Sequence, residues 1–209
     1  MYSCLVFVLK YSAFLLLLLD LTFQTWREGL WVTCFMRFKY LNSWALSLSL
    51  LYFYWTISFE PFQPTIRKKY SKFLLNLHAL NLTLHLIVCV VYWLFLHESE
   101  FVLRVDCFPV FLFRHFGVCI FVILDFLLND IPIKLDSRKF ILPTILCYLL
   151  TNLYFTISQG KPVYSIITWT DWKTPLVFLG CVFGMYGSCL LYTSPSPRDQ
   201  RGSRMPSSA

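Results

Sequence analysis

Apolar residues run along this chain in long blocks, not in the alternation of a half-buried strand or the narrow stripe of a surface helix. The blocks have the length of membrane spans. Phe108 to Leu128, FPVFLFRHFGVCIFVILDFLL, is about 21 almost wholly apolar residues and predicts one transmembrane helix. Blocks at 5–23, 41–59, 74–96 and 140–157 predict four more, and a sixth starts near 176 and stops by 188. The expected fold is all-α: a polytopic transmembrane helix bundle of about six helices, the sixth truncated, forming one unit over 1–188. Polar clusters punctuate it. Arg27, Glu28, Arg37 and Lys39 fill the first break, with Trp26 and Trp31 suited to an interfacial belt. Glu60, Pro61 and Pro64 end the second span, and Arg67, Lys68, Lys69 and Lys72 crowd the next loop. His97 to Asp106 and the stretch LNDIPIKLDSRK flank the fourth span, and SQGKPVYSIITWTDWKTP, Ser158 to Pro175, is the longest connection. The first block has no basic n-region and no small-residue cleavage site, so it reads as a retained helix, not a removed leader.

Composition narrows the class. A chain of 209 residues that is 57% hydrophobic and 14% charged carries more apolar surface than one soluble core hides. The expected location is therefore integral to a membrane, multi-pass, with membrane lipids as partners and the organelle open between endoplasmic reticulum and plasma membrane. The net charge of +7 sits mainly between the apolar blocks, where topology and lipid headgroups account for it, and nucleic acid is not an expected partner. The eight cysteines are scattered singly, with no C-x-x-C and no Cys/His cluster at metal spacing. No cofactor and no metal are expected. Desaturase histidine boxes, G-x-S-x-G, H-E-x-x-H and phosphate-cradling glycine loops are all missing from the sequence.

The polar residues inside the spans carry the chemistry, because an ionisable group in hydrocarbon is costly and turns to protein or water. His78 and His85, seven apart, share one face of the third span, and interhelical hydrogen bonding is preferred there over a metal pair. Asn81-Leu82-Thr83 has the N-glycosylation pattern but lies mid-span. His115 lies near the start of the fourth span, where Arg114 can snorkel to the headgroups. Asp125, ten residues on and about 15 Å along the axis, is too far to orient it. Counting spans puts Asn42 and Ser43, at the start of the second, on the same membrane face as His115, with the Gly160 to Pro175 loop over them. Basic residues divide equally between the two faces; the tighter clusters, Arg67 to Lys72 and Lys134 to Lys139, lean that opposite face toward the cytoplasm.

The end of the chain changes character. CLLYTSPSPRD, Cys189 to Asp199, resembles a translated transposase sequencing adaptor, and SRMPSSA, Ser203 to Ala209, resembles the distal part of the same adaptor. A disordered Ser/Pro/Arg tail fits the composition as well. Residues 189–209 are therefore expected to be a disordered, non-native tail holding three of the arginines.

Four stretches together resemble one family: KYLNSWALSLSLLYF (Lys39 to Phe53), VVYW (Val90 to Trp93), RHFGVCIFVILDFLLNDIPI (Arg114 to Ile133) and YLLTNLYFTISQGKPVYSIITWTDWKTP (Tyr148 to Pro175). In order and spacing they are similar to the rolling-stone and androgen-induced family of small multi-pass membrane proteins. For the androgen-induced branch the resemblance implies an intramembrane hydrolase of fatty-acid esters of hydroxy fatty acids, with a threonine nucleophile early in one span and a histidine in a later one. His115 falls at the histidine's place, and Asn42 occupies the threonine's. An asparagine amide is not a nucleophile, and Ser43, one residue on, is turned about 100° around the helix. The rolling-stone branch, which the resemblance associates with muscle-cell fusion, has a similar tyrosine-leucine-x-x-tryptophan stretch. Two expectations follow. One is a lipid-ester hydrolase or degenerate relative, with His115 as general base, Ser43 as substitute nucleophile and Asn42 as oxyanion donor. The other is a non-catalytic membrane protein in which His115 and Asn42 hydrogen-bond across the bundle.

Overall fold

The computed structural model describes residues 2–30, 36–59, 64–96, 108–128 and 139–193. Over these the apolar blocks are helical, and a single bridge between Tyr164 and Ile167 is the only β-pairing among them. Helix α1 is Tyr2–Glu28, and α2 is Leu41–Phe59, entered through a 3-10 turn, Met36–Lys39. Helix α3, Pro64–Val91, continues through a π-helical turn, Tyr92–Leu96. Helix α4 is one run in three parts: Phe108–Leu112, a π-helical turn Phe113–Gly117, and Val118–Leu128. Helices α5, Ile141–Gln159, and α6, Lys173–Thr193, complete the all-α bundle.

Four of the six, α1, α3, α4 and α5, hold segments long and apolar enough to cross a membrane: Cys4–Glu28, Lys72–Leu96, Pro109–Leu128 and Ile141–Gln159. Such a set is compatible with a multi-pass membrane protein. Helix α2 is as long as α5, 19 residues, but four serines, a threonine, two tyrosines and two tryptophans dilute its apolar character.

Several boundaries differ from the sequence reading. Arg67 to Lys72 belong to the first turns of α3, not to a loop, because Pro64 suits a first helical position and Arg and Lys favour helix. Arg27 and Glu28 likewise end α1. Helix α6 starts at Lys173 because the Asp171 carboxylate caps it, accepting from the Lys173 and Thr174 amides at 3.1 and 3.3 Å. It continues through Thr193, past the expected stop at Ser188, since Cys189, Leu190 and Leu191 extend the apolar run. The first five residues of the expected disordered tail are therefore helical. Trp31, Glu60, Pro61, the loops 97–107 and 129–138 and the rest of the tail, 194–209, lie outside the described residues.

Helix α3 is the central element, with 56% of its crossing segment buried against 22–33% for the other three. One apolar cluster joins it to α1, α2 and α4 through Ala13, Leu17, Phe53, Leu82 and Val122. A second joins it to α2, α5 and α6 through Ala45, Leu84, Ile145 and Met185. Small buried residues at two levels of these helices, Ala45 on α2 and Ala79 on α3, suit close helix packing, which is how helices associate where water supplies no driving force. Leu19, Leu150 and Phe183 stay more than 60% exposed on the outer faces, as lipid-facing positions do.

Candidate functional site

The end of the bundle where α1, α3 and α5 finish and α2, α4 and α6 begin encloses a cavity of about 290 Å³. Its deep wall is apolar, from Leu46, Leu84, Val88, Phe178 and Met185. Its polar lining includes Asn42 and Ser43 from the first turn of α2 and His115 from α4, so all three sequence-derived site residues reach one space. The Asn42 Oδ1 and His115 Nδ1 atoms are both buried without a hydrogen-bond partner. Two buried polar atoms left unsatisfied beside a cavity are groups that a ligand or water can complete.

His115 is held by aromatic rings. Its imidazole stacks on Tyr92 with centroids 4.0 Å apart and planes 19° apart, and Phe111 lies at 4.6 Å. Both stacked residues sit in π-helical turns, Tyr92–Leu96 and Phe113–Gly117. Such a turn inserts a residue into the helix and re-aims its side chains, which is why π-bulges recur at functional sites. Gly117 permits the turn in α4: a Cβ there would stand 3.0 Å from the Phe113 ring.

Arg114, expected to snorkel, instead points inward to Asp20 of α1, with Nε at 2.9 and 3.1 Å and Nη2 at 2.8 Å from its carboxylate. Gln24 also donates to Asp20. The carboxylate that interrupts the first apolar block thus satisfies the arginine that interrupts the fourth, a pairing favoured once both lie away from water. Glu28 pairs with Arg37 at the rim. The loop from Gly160 to Trp172 closes over the site. Gly160 ends α5 in the left-handed conformation (φ 64°), and Tyr164 reaches back so that its hydroxyl accepts from the Leu41 amide at 3.1 Å. Trp169 Nε1 donates to Asn152 of α5 at 2.8 Å, and Tyr148 OH donates to the Lys39 carbonyl at 3.3 Å.

Asp125 takes no part in the cavity. Its Oδ2 accepts from Tyr52 OH at 2.5 Å and lies 3.6 Å from His78 Nδ1, all three side chains being wholly buried. The other span histidine, His85, meets Ser49 Oγ at 2.6 Å and the Ala45 carbonyl at 3.2 Å, while Ser49 donates to Asn81 Oδ1 at 2.7 Å. Asn81, the residue with the glycosylation pattern, is fully buried. Among the described residues no cluster of three or more His, Cys, Asp or Glu could hold a metal ion.

Reading the sequence missed Tyr92, Tyr164, Ser49 and the Asp20 partner of Arg114. Tyr92 and Tyr164 lie in stretches that carry the family resemblance, but nothing in their neighbours marks them as touching the site. Comparison with protein-family models, with curated proteins and with solved structures finds no match for this chain.

Proposed function

We propose that the chain is a multi-pass membrane protein of the rolling-stone and androgen-induced type whose cavity takes a lipid ester, and that, with asparagine at position 42, it has little or no ester-hydrolase activity. The observation that carries this reading is the meeting of Asn42, Ser43 and His115 in one cavity with apolar walls. Apolar walls suit an acyl chain, and a few convergent polar groups suit the ester at its head. Membrane lipids are the partners and source of the ligand. In a hydroxyl-bearing version of the site, His115 takes the hydroxyl proton as the oxygen attacks the ester carbonyl, the Asn or backbone N–H groups receive the developing oxyanion, and the protonated imidazole gives its proton to the leaving alcohol. The amide of Asn42 cannot start this sequence, and Ser43, which shares the cavity, is turned about 100° from it around α2 and also lines a second, smaller cavity beside Asp20 and Gln24.

The test is to restore the hydroxyl. In membranes expressing the full chain, Asn42→Thr should create or raise both turnover of a lipid ester and labelling by a serine-reactive probe, and adding His115→Ala should remove the gain. Strong labelling of the unaltered chain that disappears in Ser43→Ala would show that Ser43 has become the nucleophile and would refute the low-activity reading.

One observation favours a second, non-catalytic reading. Asp125, the carboxylate that follows His115 by ten residues, is taken up by Tyr52 and His78 and does not orient the imidazole. On that reading the cavity holds a lipid without cleaving it, and no variant is labelled.

A further inference from the structure

From the cavity a seam of polar side chains continues through the bundle, and the ester chemistry uses only its first member, His115. Along one face of α3 come Tyr92, His85, Asn81 and His78, spaced seven, four and three residues apart. They span about 21 Å of helix axis, roughly two-thirds of a hydrocarbon core. Helices α2 and α4 run antiparallel to α3 and complete each level. His115 stacks on Tyr92 at the cavity; Ser49 joins His85 and Asn81 in the middle; Tyr52 and Asp125 flank His78 at the far end. The buried Lys10 side chain on α1 stands within electrostatic range of His78. Thr56, one turn beyond Tyr52, carries the seam toward the far surface.

A seam that served only to glue helices would have its groups satisfied. Here both nitrogens of His78, the Asn81 amide nitrogen and His115 Nδ1 are buried without hydrogen-bond partners, at least one at each level. The cavity lining stops just short of the middle level, at Leu46 and Leu84, the sequence neighbours of Ala45 and His85, and His115 in the cavity stands within electrostatic range of His85. Rows of intramembrane histidine, carboxylate and hydroxyl groups are the material of proton relays.

We propose that this seam is a proton path between the cavity and the opposite face of the membrane. A proton from cavity water binds His85 Nδ1 while His85 gives its Nε2 proton to Ser49 Oγ. Ser49 releases its own proton to a water held between the Asn81 amide and His78. His78 takes that proton on Nε2 and gives the one on Nδ1 to Asp125, from which it leaves through Tyr52 and water. Each N–H or O–H bond that forms is matched by one that breaks, nothing is oxidised or reduced, and the driving force is the membrane potential or a pH difference.

The experiment uses the full chain in liposomes with a trapped pH dye and a potassium gradient made electrogenic by valinomycin. The expected result is an internal pH change beyond that of protein-free vesicles, retained in Ser49→Thr and lost in Ser49→Val. These two variants share a shape and differ by one hydroxyl, and thermal unfolding in detergent reports on the fold of each. Asp125→Asn, which keeps the acceptor for Tyr52 but cannot carry a proton, should also lose the flux. Equal flux with and without protein overturns the proposal, as does flux that survives both Ser49→Val and Asp125→Asn. Loss in Ser49→Thr as well as Ser49→Val also overturns it, because the effect then follows packing and not the hydroxyl.

Discussion

The imidazole of His115 owes its position to neighbouring rings more than to hydrogen bonds. Tyr92 is buried, and its ring plane lies within 19° of the imidazole plane, so the pair is fixed by stacking. Tyr92→Phe keeps that ring and with it the stack. Tyr92→Leu keeps apolar bulk but loses the stack, and should cost about 1 kcal/mol beyond any loss of area. Chemical unfolding in detergent micelles separates the two; equal midpoints would show that stacking contributes nothing. The same logic applies at Gly117, where the Cβ of Gly117→Ala meets the Phe113 ring at 3.0 Å. Overpacking of this kind costs on the order of 1–3 kcal/mol, and here the strain falls on the turn that aims His115.

At the level of elements, the clamp between α1 and α4 is the contact whose loss should matter most. The Arg114 and Asp20 side chains are only 12% and 8% exposed, so removing one strands the other in a poorly solvated place. Arg114→Ala should therefore destabilise the bundle by about 3–5 kcal/mol. The pair Asp20→Asn with Arg114→Gln, which leaves no stranded charge, should recover most of that loss, and unfolding midpoints of the unaltered chain and the two variants check it. This clamp also marks how far the sequence could be read. The helices of α1, α3, α4 and α5 were legible because run length and apolar content are local properties. His115, Asn42 and Ser43 could be brought to one end by counting spans, because each sits near a helix terminus. The Asp20–Arg114 pair spans 94 positions and the Ser49–His85 pair 36, and the register that joins them is set by side-chain packing that no local pattern encodes. The π-helical turns were equally hidden, since Tyr-Trp-Leu-Phe-Leu and Phe-Arg-His-Phe-Gly would continue an ordinary helix by propensity alone. The basic start of α3 reads as a loop by polarity alone, whereas Arg and Lys are good helix formers and extend the helix back to Pro64.

For the whole molecule, apolar outer faces around a central helix predict that carbonate at high pH leaves the chain in the membrane pellet; release into the supernatant would contradict the bundle described above. The loop that follows α5 has a further consequence for kinetics. Tyr164, Ile166 and Ile167 roof the cavity, and the Tyr164 hydroxyl is fastened to the first amide of α2. With that roof in place, the lipid ligand proposed above is expected to enter the cavity sideways from the acyl-chain layer. Occupancy then follows the ligand's mole fraction in the bilayer, so diluting the bilayer with inert lipid at constant total ligand should lower occupancy, while adding buffer should leave it unchanged.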